Sequence, residues 1–270
     1  MGTILRYPRL LGSMARFALA REMAFRGNFL VKLSVEVIWL GIMLAFYQVV
    51  FGKTNDIAGW TKPEYYFFVG CFFAINGLIE TLFLENCNEF AELVRTGDLD
   101  FLLLKPIDEQ FLISMRKFDW GTAPNVLMGA AVMVLALVQL HWQFDLLAVL
   151  AFAFTFACSI GIAYSFMLIL TATSVWLVRN QSLMEMWWLF SSMARYPREI
   201  FSGRSWAEPL GRFFVYAVPI LLVSNVPARV MVKVIDPWMV AYTTFAAIMT
   251  FLISRRFFRW ALRSYRSASS

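Results

Sequence analysis

The sequence predicts an all-α polytopic membrane protein with six transmembrane helices. Hydrophobic residues make up 60% of the 270 residues and charged residues 16%, whereas a soluble domain is about 45–50% apolar and about 25% charged. The apolar residues form blocks of the length that a helix needs to cross the hydrocarbon layer. Basic residues cluster at both termini, which predicts that both termini are cytoplasmic and that the number of spans is even.

The predicted elements follow one another along a single domain, 1–270. Residues 1–28 contain an amphipathic helix that lies in the membrane interface with its arginines among the headgroups; a simple cytoplasmic lead-in is the alternative. A polar turn at Arg179 separates the fourth and fifth spans. The six predicted spans are 29–51, 65–84, 123–140, 146–173, 182–200 and 237–258.

The polar stretch 85–120, between the second and third spans, is predicted to be cytoplasmic. Its first part is helix-like, because Phe90, Leu93 and Val94 form a narrow apolar stripe between acidic residues. Gly97 is placed to end that helix.

The region 201–236 is predicted to form an outer re-entrant hairpin before the last span. Residues 213–232 are apolar, but Pro219 and Pro227 interrupt them, and proline removes a helical hydrogen bond and clashes with the preceding turn. A seventh full span would also place the basic tail outside. The hairpin keeps four arginines on the outer side, where lipid phosphates or carboxylates would have to pair with them: Arg198, Arg204, Arg212 and Arg229.

Catalytic, metal-binding and nucleotide-binding motifs are not visible. Gly52 and Lys53 suggest a phosphate-binding loop, but position 47 is a tyrosine where that loop requires glycine. His141 is the single histidine, and the three cysteines show no paired spacing. We therefore predict no catalytic residue, no metal and no cofactor. The basic residues flank apolar blocks, which indicates membrane lipid and not nucleic acid as the partner of these charges.

Polar residues inside the predicted spans are the candidates for a substrate path. Ionisable groups in a membrane helix face the bundle interior or a water-filled cavity. Pairing between helices, or snorkelling at a span end, is the alternative, particularly for Lys32, Glu36 and Arg195. The candidate path residues are Glu36, Asn76, Glu80 and Glu185.

Two motifs resemble those of the ABC-2 type permeases and, more narrowly, of a bacterial ABC-2-like subgroup. The first, after the second span, is GDLDFLLLKPI at 97–107. The second, at the end of the fifth span, is ARYPREIF at 194–201. The resemblance covers essentially the whole chain, including its length and its number of spans.

The resemblance implies the permease subunit of an ATP-binding-cassette exporter in the bacterial cytoplasmic (inner) membrane. Such a subunit is not itself an enzyme, since ATP is hydrolysed by a separate ATPase that docks on a cytoplasmic coupling helix after the second span. A second permease subunit, identical or paralogous, completes the pathway for a hydrophobic or glycan- or lipid-like substrate. The residues expected to contact the ATPase are Glu89, Phe90, Glu92, Leu93, Val94, Asp98 and Asp100.

Two alternative functions belong to other classes. An ion-coupled secondary transporter or channel would be favoured by inverted internal repeats, and none is visible. A membrane-embedded lipid-modifying enzyme would need clustered acid, base or metal ligands near the interface, and the sequence shows no such cluster.

Overall fold

The computed structural model describes residues 6–177, 180–201 and 208–265, and most of these residues are helical. The predictions for residues 1–5, for Arg179, for Arg204 and for the last residues of the basic tail fall outside the described residues. The α-helices are α1 Arg6–Ala24, α2 Arg26–Phe51, α3 Lys62–Ile79, α4 Glu85–Thr96, α5 Leu99–Leu103, α6 Glu109–Met115, α7 Ala123–Gln139, α8 Leu146–Thr173, α9 Asn180–Met193, α10 Glu208–Arg212, α11 Ile220–Val232 and α12 Pro237–Ser264.

A single unbroken helix joins the second predicted span to the polar stretch that follows it. α3, the π-helical segment Glu80–Leu84 and α4 together run from Lys62 to Thr96, 35 residues. The Thr61 amide donates to the Glu64 carboxylate at the start of this helix. Gly97 ends it with a φ of 80°, a conformation that glycine adopts without steric cost. The predicted stop at Gly97 is confirmed, whereas the expected boundary at residue 84 is not a break in the helix.

The described residues contain four helices long and apolar enough to cross a membrane: α2, the 35-residue helix, α8 and α12. The bounds of α8 coincide with those predicted. α7 is apolar but has 17 residues. α9 has 14 residues and rises about 21 Å, so it is shorter than the predicted span 182–200; a bend and the 3₁₀ turn Arg198–Phe201 follow it. The chain is a multi-pass, all-α membrane protein.

Contacts between distant segments define the two ends of the bundle. At the β-hairpin end, strands β1 (Asp56–Ile57) and β2 (Trp60–Thr61) pair antiparallel, and the Trp60 indole donates to Glu199 over 3.1 Å. The Trp142 indole at the α7–α8 turn donates to the Met231 carbonyl over 3.0 Å. At the opposite end, which we call the α4 end, Phe90 packs against Phe258 with 5.9 Å between ring centroids.

The region before α12 contains a sharply broken helix. α10 and the π-helical segment Phe213–Ala217 meet α11 at an angle of 86°. The break falls at Val218 and Pro219, as the proline pattern predicts, whereas Pro227 lies inside α11. α11 is almost completely buried against α8 and α3.

The core of the bundle is built on the contact between α3 and α7. A Cβ atom added to Gly129 would lie 2.6 Å from the Ala74 amide nitrogen and 2.6 Å from the Gly70 carbonyl oxygen. A Cβ atom added to Gly77 would lie 2.8 Å from the Asn125 Cβ and 2.9 Å from the Val126 amide nitrogen. Small residues let membrane helices approach until their backbones touch, and three glycines provide that contact here.

α2 is the least covered of the long helices. In its most apolar stretch 11% of the residues are buried, against 72% in the 35-residue helix. Its contacts with the rest of the described structure are few: it touches α1 and α7, and Tyr47 and Gln48 near its end bond to Tyr65 and Tyr66 of α3. Its exposed apolar side chains include Val31, Val35, Ile38, Ile42, Phe46 and Val49.

Candidate functional site

A cavity of about 590 Å³ opens on the side of the bundle between α2, α3, α7 and α9. Apolar and aromatic side chains such as Trp39, Phe72 and Trp188 form most of its wall. Three of the four candidate path residues, Glu36, Asn76 and Glu80, line it together. The volume lies within the range of small-molecule sites, about 300–1,000 Å³.

The two carboxylates of the cavity come from different helices. Glu36 lies on α2, and Glu80 opens the π-helical segment beside the Asn125 side chain. Within the described part of the chain, neither carboxylate has a cation within 4 Å. The Asn76 amide nitrogen donates to the Phe72 carbonyl over 2.9 Å. π-helical turns are rare and frequently occur at functional sites, so the placement of Glu80 is consistent with a functional cavity.

Arg195 supplies the cation of this cavity. Its guanidinium lies over the rings of Trp39 and Phe72, at 5.6 and 5.5 Å from their centroids. Its buried Nε atom has no hydrogen-bond partner among the described residues. The sequence reasoning did not place Arg195 in the path, although the residue lies in the ARYPREIF motif and was recognised as an intramembrane charge.

Two other intramembrane charges lie elsewhere. Lys32 pairs with Asp119 at 3.0 Å and with Glu22 at 3.2 Å. It thus ties α1 and the segment before α7 to α2. Glu185 is exposed on α9 and does not line the cavity, although Ser191 and Trp188 of the same helix do.

The apolar stripe of α4 faces the inside of the bundle. Phe90 is fully buried, in a cluster that includes Leu99, Leu168 and Phe258. Leu93 and Val94 are partly buried against the same cluster. Phe90 therefore has no exposed surface for a partner. The apolar face of an amphipathic helix can be buried against its own chain as well as against a partner.

The acidic residues of this region differ in their surroundings. Glu92 is exposed and bonds to Arg95, and Asp98 is exposed beside Thr96. Glu89 instead pairs with Arg116 and Lys117. Burial lowers the pKa of Arg116, an effect that Glu85 opposes, and arginine remains charged at neutral pH. Asp100 is partly buried.

Two apolar side chains project from the α4 end. Phe101 is 69% exposed and Leu104 is 81% exposed; Phe101 lies in α5 and Leu104 directly follows it, both within GDLDFLLLKPI. Their neighbours Leu99 and Leu102 are buried. The sequence reasoning assigned the apolar contacts to α4, whereas the exposed apolar surface lies after Gly97, in α5 and at its end.

The described residues contain no group of three or more metal-ligating side chains placed to hold a metal ion. In comparisons with known proteins, the family model described as ABC-2 family transporter protein matches residues 37–269. No curated protein and no solved structure gave a match.

Proposed function

Since the chain belongs to the ABC-2 transporter family, and is thus a permease component of an ABC transporter, we propose that it is the membrane-spanning subunit of an exporter with a separate ATPase. The match over residues 37–269 carries this proposal. The exporter would move a hydrophobic or glycan- or lipid-like substrate across the bacterial cytoplasmic membrane.

We propose six spans, formed by α2, α3, α7, α8, α9 and α12, with both termini cytoplasmic. A contact at the β-hairpin end supports this number of spans. Glu199, just after α9, and Arg229, near the end of α11, bond to each other at 2.6 Å, so the chain between them leaves and returns to the same end. The broken helix would then be the outer re-entrant hairpin, and the β-hairpin end would be the outer end.

The ATPase would dock at the α4 end. An apolar contact surrounded by charges suits a protein interface, and Phe101 and Leu104 provide the apolar part beside Glu92 and Asp98. Closure of the ATPase pair on ATP would push this surface and move the membrane helices. Phe90, Leu93 and Val94 would act by holding α4 on the bundle.

The test is Leu104→Asp, with the chain co-expressed with the ATPase subunit that this proposal requires. A charge in the centre of an apolar contact should reduce the amount of co-purified ATPase at least about tenfold. The matched control is Val234→Asp, because Val234 is 83% exposed at the β-hairpin end. Equal loss in both variants, or full retention in Leu104→Asp, would exclude this docking surface.

The same two positions test the orientation. With cysteine at either position, a membrane-impermeant maleimide should label residue 234 in intact cells and residue 104 only after the membrane is opened. Labelling of both positions in intact cells would contradict the proposed topology.

A second permease subunit, identical or paralogous, would cover the side cavity and the exposed face of α2. Lipid alone is a poor cover, because the cavity contains Glu36, Glu80 and Arg195, and charges facing hydrocarbon are costly. The substrate would then pass between the two subunits, with these residues and Asn76 along its path. Glu185 lies outside this cavity and would not contact a substrate there.

A further inference from the structure

Three arginines converge on a second cavity, at the β-hairpin end. Arg198 comes from the 3₁₀ turn after α9, Arg212 from α10 and Arg229 from α11. The cavity has a volume of about 300 Å³, and Glu199 and Glu208 also line it. It lies apart from the side cavity, whose charged residues are Glu36, Glu80 and Arg195.

Within the described part of the chain, two carboxylates line this cavity together with the three guanidinium groups. Glu199 accepts from Arg198 at 3.2 Å and from Arg229 at 2.6 Å. Glu208 pairs with Arg212 at 2.6 Å, on the exposed side of α10. Among the described residues that line the cavity, three guanidinium groups face two carboxylates. Asp236 lies behind Arg198 and Arg229 in a smaller void, and its carboxylate accepts from the first amides of α12.

Buried hydrogen-bond donors next to the cavity also lack acceptors. The Nε atom of Arg229 is buried without a partner in the described structure, and Arg198 directs one amino group at the Met239 sulfur over 2.8 Å. A thioether is a weak acceptor. Asn225 is 1% exposed, and neither its amide nitrogen nor its oxygen has a partner among the described residues.

Asn225, Arg198 and Arg229 share a small void of about 10 Å³ that adjoins the larger cavity. A volume of this size holds one water molecule at most. A buried polar group without a partner costs about 1–3 kcal/mol, which a water in this void would relieve for Asn225. The larger cavity is lined by the three arginines and is the part of this region that can hold a ligand.

We propose that the larger cavity binds the phosphate group of an amphiphilic lipid. Guanidinium groups match the geometry of phosphate oxygens and bind them in pairs. The wall on the α10 side is apolar and aromatic, with Phe201, Val215 and Tyr216, and Phe213 beside it is half exposed. Such a wall suits the glycerol and first methylenes of a lipid chain, which free phosphate lacks. This site is additional to the proposed export function and does not depend on the ATPase.

The experiment measures equilibrium binding of fluorescent phosphatidic acid to the purified full-length chain in a neutral detergent. Fluorescent diacylglycerol with the same chains lacks only the phosphate, and inorganic phosphate is the competitor. Phosphatidic acid should bind at least about tenfold more tightly than diacylglycerol, because charge-assisted hydrogen bonds contribute about 1.5–3 kcal/mol each. Inorganic phosphate should compete weakly.

Arg229→Gln should weaken the binding of phosphatidic acid at least about tenfold. Since Arg229 is also paired with Glu199, Arg212→Gln serves as a second variant; its ion pair is exposed and its loss should leave the fold intact. Arg95→Gln is the matched control, because it removes an exposed arginine at the α4 end and should bind normally.

Three outcomes would overturn the proposal. The first is equal binding of diacylglycerol and phosphatidic acid. The second is normal binding by folded Arg212→Gln and Arg229→Gln, or equal losses in Arg95→Gln. The third is tight binding of inorganic phosphate with no retention of the lipid, which would identify a site for free phosphate.

Discussion

α2 and the helix Lys62–Thr96 have nearly the same mean hydropathy, yet their surroundings are opposite. Most of the long helix is buried in the bundle, whereas most of the apolar surface of α2 is left exposed. The difference does not come from composition. It comes from Gly70, Gly77 and Gly129, which let α3 and α7 approach closely. α2 also contains glycines, but Gly41 has nothing within 4 Å of a built Cβ. In a membrane, burial depends on shape more than on hydropathy.

The largest effect on stability is expected for Phe90→Ala. Phe90 is fully buried against Phe258, so its loss leaves a cavity and should cost about 3–5 kcal/mol. Phe46→Ala on α2 is the matched variant, since Phe46 is 60% exposed. Unfolding by SDS in mixed micelles measures both. Similar losses of unfolding free energy in the two variants would mean that the greater burial of the long helix does not make it contribute more to stability than α2.

A smaller destabilisation is expected for Gly129→Ala. The added Cβ meets backbone atoms of Gly70 and Ala74 that cannot rotate away, and overpacking costs about 1–3 kcal/mol. Gly41→Ala adds the same atom in open space and should be neutral or stabilising by up to about 1 kcal/mol, because alanine favours helix. The same unfolding titration compares them. A stable Gly129→Ala would show that α3 and α7 can separate without cost.

The exposed face of α2 should be probed without changing stability. p-Benzoylphenylalanine in place of Ile38 should photo-crosslink to a second permease subunit in the membrane. Leu135 on α7 is the control position, since it is 61% exposed where Ile38 is 60% exposed. The mass of the product distinguishes an identical subunit from a paralogous one. Crosslinks to lipid alone at both positions would show that the side cavity faces the bilayer and not a second subunit.

The sequence predicted those features that depend on local backbone chemistry. Gly97 ends a helix because it adopts a positive φ, and the helix breaks at Pro219 because proline cannot continue the hydrogen-bond ladder. Charge and spacing also brought Glu36, Asn76 and Glu80 into consideration, and all three line one cavity.

Features that depend on tertiary packing were missed. The apolar stripe of α4 was interpreted as a partner surface, yet Phe90 packs against α12. Hydrophobic periodicity indicates that one face of a helix is buried, but it does not identify the element that covers that face. Arg195 was missed because it lies in the turn directly after α9, where its guanidinium is over Trp39 and Phe72 of two other helices. Glu185 lies on α9, but its side chain is exposed and does not line the cavity.

The unbroken helix from Lys62 to Thr96 has a mechanical consequence. At 1.5 Å per residue it forms a rod of about 52 Å, and no loop interrupts it between the β-hairpin end and the α4 end. One side of this rod carries Asn76 and Glu80 in the wall of the side cavity, and α5, with Phe101 and the following Leu104, comes after the break at Gly97. Force applied to α4 would reach the cavity along a continuous helix, whereas force applied at Phe101 or Leu104 would first cross the break at Gly97. The π-helical segment lies between α4 and the cavity wall of α3.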